Sequence, residues 1–219
     1  MDLVIVRHGR PERDERADGA GTADPPLSDL GQRQADATAE FLAGEIIHHV
    51  VASPMQRARA TAAPLAALLG LEVELHDGLR EADHYRTRYV PAEEMTMDDA
   101  IVQEFLDDKF AMFAPLGGFD PWRASVVATF DEIVDGNKGK RVAVFCHGMV
   151  MGTYLTALIG HVDPFVLTPD YCGIVRVRAA SNGIRTMRSV NETGHVRSLL
   201  GGTLSRHPWW RSPRAQCER

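Results

Sequence analysis

Two short, wholly apolar runs in this chain end on the same pair of residues. Leu3–Val6 leads into Arg7-His8-Gly9, and VAVFC (142–146) leads into His147-Gly148. An apolar run with no polar alternation is a strand covered on both faces, as in a parallel sheet between helical layers. Open sheets of this kind bind ligands in the crevice at the carboxyl ends of their strands. Both histidines are therefore expected at one sheet edge, each followed by a glycine that lets the chain turn. A helix starts directly after the second histidine. The amides of Gly148 and Met149 would add the positive end of its dipole, which suits an anion.

The rest of the chain alternates in the same manner. LSDLGQRQADATAEFLAG reads as a helix with Ser28 as N-cap and Gly44 as its stop, after a polar loop from Pro11 to Pro26. HHVVASP is a short strand, MQRARATAAPLAALLG a helix bent at Pro64, and LEVEL a weaker strand. From about Asp83 to Pro121 the rhythm breaks, and this segment reads as an inserted, mostly helical cap. A helix from Trp122 to about Val134 restores it, followed by RVAVFC and the helix GMVMGTYLTALIG. GIVRVRA and IRTMRSV form a closing antiparallel pair around Ser181-Asn182-Gly183. The expected fold is α/β: a three-layer α/β/α sandwich with a mostly parallel central sheet and the inserted cap. At 219 residues this makes one domain, with a loosely held tail from about Gly201 that carries Trp209-Trp210.

Charge narrows the function classes. A net charge of −6 argues against a broad nucleic-acid surface, which needs a clustered basic face. A small anionic ligand held by a local arginine cluster remains compatible with it. Cys146, Cys172 and Cys217 are odd in number and lack metal-site spacing, so neither a disulfide framework nor a zinc site is expected. The first apolar run is too short for a signal peptide and no later stretch reaches membrane-span length, which predicts a cytoplasmic protein without a membrane partner.

Two further stretches carry chemistry. In VVASPMQRARATA, Arg57 falls in the first turn of a helix, where a cation opposes the dipole and needs another reason to be there. Arg59, two residues on, points elsewhere and is expected to be solvated or paired. LREADH places Glu81 and Asp83 in a loop that returns to the same sheet edge.

Taken in order, LVIVRHGRPE, LSDLGQRQA, VVASPMQRARATA, LREADH, VAVFCHG and the late NETGHV resemble the histidine phosphatase superfamily, in its phosphoglycerate-mutase-like branch. The resemblance spans nearly the whole chain. It implies that His8 is the nucleophile, that Arg7, Arg57 and His147 complete a phosphate pocket, and that Glu81 is the proton donor, with Asp83 in reserve. Gly148, Met149 and Arg10 are further expected to touch the substrate, and His195 to be structural. A neutral imidazole suits attack on a dianionic ester, and it divides the displacement through a phosphohistidine. Nearby arginines keep it neutral, and its other nitrogen should donate to a fixed acceptor. The arginines do what a metal does elsewhere, so neither metal nor cofactor is implied. The expected partners are a small phosphorylated substrate and, as in many relatives, a second copy of the chain in a homodimer.

Mutases of this family usually follow RHG with an acid and a small hydroxyl residue, then an Asn. Here Arg10 and Pro11 take the first two places and no Asn precedes the first helix. That favours a phosphomonoesterase over a mutase. A phospholigand sensor that has lost turnover is the reading from another class. The joint presence of His8, Arg7, Arg57, His147 and an acid argues against it.

Overall fold

A computed structural model describes residues 1–15 and 21–200. Its first half forms β1 (Asp2–Arg7), a two-residue β2 (Asp14–Glu15), α1 (Asp29–Ala43), β3 (His49–Ala52), α2 (Gln56–Leu69) and β4 (Val73–Leu75). Its second half adds β5 (Arg88–Tyr89), α3 (Ala100–Asp107), α4 (Phe119–Gly136), β6 (Arg141–Cys146), α5 (Gly148–Leu158), β7 (Ile174–Ala179), β8 (Arg185–Glu192) and α6 (Arg197–Leu200).

The main sheet runs β4-β3-β6-β1-β7-β8. Its first four strands are parallel, and β7 and β8 close it as an antiparallel pair. Leu3, Ile5, Val142 and Val144 share one core with Val126 and Phe130 of α4 and Val150 and Tyr154 of α5. Val4, Val6, Ala143 and Phe145 share the other with Ala39 and Leu42 of α1 and Ala62 and Leu65 of α2. Helices on both faces are the reason β1 and β6 have no polar alternation; each buried aliphatic side chain contributes about 1.5–3 kcal/mol. β1 and β6 are neighbours in register, Arg7 opposite Cys146, and the His8 N–H continues the ladder to the Cys146 carbonyl at 3.0 Å. The two histidines therefore leave the sheet side by side.

The caps follow their local chemistry. Ser28 Oγ accepts from the Gly31 N–H at 3.1 Å and opens α1. Gly70, at φ 65°, closes α2, and Pro64 does not interrupt that helix. Gly31 answers to packing rather than helix propensity. A β-carbon there would lie 2.0 Å from the Arg10 carbonyl oxygen, and one at Gly9 would lie 2.6 Å from the Gly31 oxygen. The loop after His8 thus rests directly on the α1 backbone. Gly31→Ala, which favours an ordinary helix interior, is expected here to destabilise by about 2 kcal/mol and to lower Tm by about 6 °C in scanning calorimetry. An unchanged or raised Tm would refute that close approach.

Segment 83–121 is less helical than its composition suggests. α3 is its only full α-helix among the described residues; β5 pairs with β2, and 3₁₀ turns cover 92–94 and 111–116. Pro91 and Pro115 deny helical hydrogen bonds, and Gly117 and Gly118 at φ 85° and 103° end the pattern. α4 then begins at Phe119, ahead of the expected Trp122. The tail from Gly201, with Trp209-Trp210 and Cys217, lies outside the described residues. Among those described, no helix is long and apolar enough to cross a membrane.

Candidate active site

The β1 and β6 termini set His8 and His147 with ring centroids 5.1 Å apart, both almost fully buried. His8 Nδ1 lies 2.8 Å from the Gly9 carbonyl, which can only accept. The proton of the neutral ring is therefore on Nδ1, and Nε2 carries the lone pair. Arg57 Nε donates to that Nε2 at 3.3 Å. Burial holds His8 well below the ordinary imidazole pKa, and the charges of Arg57 and Arg7 push it further the same way.

His147 uses Nε2 at 2.8 Å from Ser53 Oγ, while its buried Nδ1 has no partner. With the Ser53 hydroxyl donating to Nε2, Nδ1 is a spare N–H donor beside His8. Burial, then Arg57, keeps this ring neutral as well. Ser53 closes β3 in ASP, and its role was not read from sequence; a hydroxyl at a strand's carboxyl end is the signal that could have shown it.

Arg57 is 1% exposed in the first turn of α2. Asp83 at 3.5 Å and Asp24 at 3.8 Å balance its charge, and its NH1 has no hydrogen-bond partner. Its guanidinium lies over the Tyr89 ring at 4.8 Å. Arg7 mirrors this arrangement over Tyr171 at 4.4 Å; its NH1 donates to the Pro169 carbonyl at 2.7 Å, and its buried Nε–H is unpaired. These tyrosine platforms went unseen in the sequence. Each is brought in by a distant segment, so no local spacing marks it. Thr61 is a further brace: Oγ1 accepts from the Gly9 N–H at 2.9 Å and donates to the Arg57 carbonyl at 2.6 Å. Arg59 is exposed on α2.

Glu81 is buried, with Oε1 3.0 Å from the Ala82 N–H and Oε2 3.0 Å from the Met149 N–H. Burial and the Asp83 charge raise its pKa to about 7, against the pull of those two amides and Arg57. Asp83 is half-buried and faces Arg57. His84 braces the same loop through Nδ1, 2.7 Å from the Glu81 carbonyl.

Two of the expected substrate contacts are otherwise engaged. Arg10 does not line the cavity; Glu93, at 2.8 Å, and Glu94 hold its guanidinium against segment 83–121. The Met149 amide is taken by Glu81, so the α5 N-terminus reaches an anion of the protein first. Gly148 and Met149 both line the cavity, and a β-carbon on Gly148 would lie 3.5 Å from Arg7 Cζ. His195 stacks on Phe41 at 4.9 Å with Nε2 3.2 Å from Thr38 Oγ1, away from the histidine pair. Arg7, His8, Arg57, Glu81, Asp83 and Gly148 open on a cavity of about 410 Å³. Among the described residues no cluster of three His, Cys, Asp or Glu could hold a metal ion.

Comparison with known proteins bears on family and fold. A bifunctional protein of Mycobacterium tuberculosis is 32% identical over 202 residues, covering 89% of this chain and 54% of that one. The chain thus spans about half the length of the curated relatives it matches first. A probable phosphoglycerate mutase of Yersinia enterocolitica is 26% identical over 167 residues, 73% of this chain and 75% of that one. Among solved structures, phosphoserine phosphatase of Entamoeba histolytica in complex with 3-phosphoglyceric acid superposes with a TM-score of 0.71. It is 22% identical, over 89% of this chain and 98% of that one, and it shows the fold. The profile of the histidine phosphatase superfamily (branch 1) matches residues 3–193, and the chain belongs to that family.

Proposed function

We propose that this chain is a phosphomonoesterase working through a phosphohistidine on His8, with no metal requirement. The observation that carries this reading is the His8 tautomer: Nδ1–H is fixed on the Gly9 carbonyl, and Nε2, which faces Arg57 Nε, keeps its lone pair in a ring that lines the cavity. The ester phosphate replaces Arg57 Nε as the group facing Nε2. Its non-bridging oxygens take the free donors of Arg57 and Arg7 and the Nδ1–H of His147. Charge-assisted bonds of this kind are about twice as strong as neutral ones. The two guanidinium charges supply at the equatorial oxygens the stabilisation that phosphoryl transfer demands.

His8 Nε2 then forms the P–N bond as the P–O ester bond breaks. Glu81, with a pKa of about 7, protonates the departing alkoxide. The phosphorylated ring is cationic, and its Nδ1–H bond to Gly9 stabilises that charge. Water next attacks phosphorus, Glu81 takes its proton, and neutral His8 leaves as inorganic phosphate forms.

The test is release of inorganic phosphate from a panel of phosphomonoesters with EDTA present. Turnover that survives EDTA is expected. No release from any ester, or loss of release on chelation, would remove the reading, and release itself separates hydrolysis from transfer to a second hydroxyl. Arg57→Lys keeps a charge but loses the planar fork, its Nε donor and the Tyr89 contact. A fall of about a hundredfold in kcat/KM is expected from steady-state kinetics. A loss under threefold would take Arg57 out of the phosphate pocket.

A further inference from the structure

Arg7, His8, Arg57 and Glu81 account for only part of the cavity. The remaining lining is dominated by Met95, Ile101, Phe105 and Met112 of segment 83–121, with Phe165 from the loop after α5. Phe105 and Phe165 meet edge to face at 4.8 Å. All five are half-buried and line the cavity.

The cations in this part of the lining are already paired. Arg86 donates to Glu104 at 2.7 Å, and Lys109 pairs with Asp163. These are the cations of the lining beyond Arg7 and Arg57, among the described residues. Arg86 keeps one buried, unpartnered donor, Nε–H, which suits a neutral acceptor. Glu104, Asp108 and Asp170 also line the cavity and outnumber those two cations. A second carboxylate or phosphate on the substrate would have to break an existing ion pair or face these acids, either of which discriminates against it.

We propose that the site selects phosphate monoesters of bulky, predominantly apolar alcohols that carry no second anionic group, an inference that rests on the phosphomonoesterase reading. The apolar wall takes the alcohol while the arginines and histidines take the phosphate. The one anionic end of the substrate then meets Arg57 NH1 and Arg7 Nε, guanidinium donors of the pocket that lack a hydrogen-bond partner.

Three esters of primary alcohols test this at matched leaving-group chemistry: 3-phenylpropyl phosphate, glycerol 1-phosphate and 3-phosphoglycerate. The expected kcat/KM for the phenylpropyl ester exceeds that for glycerol 1-phosphate by about 50-fold, the factor for burying roughly 100 Å² of apolar surface. The value for 3-phosphoglycerate falls lower still. Ile101→Lys, which puts an unmatched cation in the wall, is expected to lower the phenylpropyl rate and raise the 3-phosphoglycerate rate. Phe105→Ala is expected to cut the phenylpropyl preference below tenfold. Equal rates, or a preference for 3-phosphoglycerate, overturn the inference and leave the phosphomonoesterase reading standing. If no ester releases phosphate, that reading falls, and calorimetric titration of the wild-type protein decides the inference alone. Phenylpropyl phosphate binding about 50-fold tighter than glycerol 1-phosphate supports it; equal affinity overturns it.

Discussion

His8→Ala is expected to reduce phosphate release by a factor of about 10⁴ or more. The size follows from what else the cavity offers as a nucleophile. His147 is the nearest imidazole, but its Nε2 is on Ser53, and its Nδ1 holds the proton that serves the phosphate. Burial pushes the Cys146 thiol well above the ordinary range, so no thiolate forms there. Water alone must then attack an ester that Arg7 and Arg57 still bind. The variant is expected to keep its affinity for inorganic phosphate within about tenfold, since those cations remain. Brief exposure to a ³²P-labelled ester should leave an acid-labile, alkali-stable label on wild type and none on His8→Ala. A labelled His8→Ala protein, or one that retains turnover, would place the nucleophile elsewhere.

How far the site could be read in advance depended on how local its causes are. β1 and β6 were legible because helices cover both faces, which removes every polar residue between Leu3 and Val6 and between Val142 and Cys146. Parallel neighbours then bring His8 and His147 together with no further information. Ser28 was legible because a cap is set within one turn of helix. Arg10 was misread because its partners, Glu93 and Glu94, arrive from segment 83–121, distant in the sequence. An arginine beside RHG has no local feature that announces such a rival. Met149 lines the cavity as expected, and what the sequence did not show is that its amide already has a partner. A helix N-terminus attracts any anion, and a protein carboxylate, Glu81, was close enough to take it. Both contacts bear on the chemistry: one shows how segment 83–121 is held to the core, the other how the Glu81 carboxyl is fixed.

Glu81→Gln is expected to separate the two halves of the reaction and to change how stability depends on pH. p-Nitrophenolate needs no proton to leave, so p-nitrophenyl phosphate should still phosphorylate His8 in the variant. Water must lose a proton to Glu81 in the second half, and that step is expected to slow by about 10²- to 10⁴-fold. Rapid mixing should therefore show a burst near one equivalent of nitrophenolate and a phosphoenzyme that persists. A primary alkyl phosphate, whose alkoxide must be protonated, should give no burst. If Asp83→Asn stalls in this way and Glu81→Gln does not, Asp83 is the proton carrier. The stability consequence has a definite sign. Glu81 is raised from 4.5 to about 7 in the folded protein, so its contribution is complete below 4.5 and is lost as pH rises through 7. The loss is on the order of 3 kcal/mol. Glutamine cannot ionise, so Tm of the variant relative to wild type should climb by several degrees between pH 5 and pH 8.5. Glutamine also offers one oxygen where two N–H groups, of Ala82 and Met149, seek acceptors. That deficit costs about 1–3 kcal/mol at every pH and leaves the climb unaltered. A parallel pair of Tm curves would show that Glu81 ionises alike folded and unfolded, and would end its candidacy as an acid matched to neutral pH.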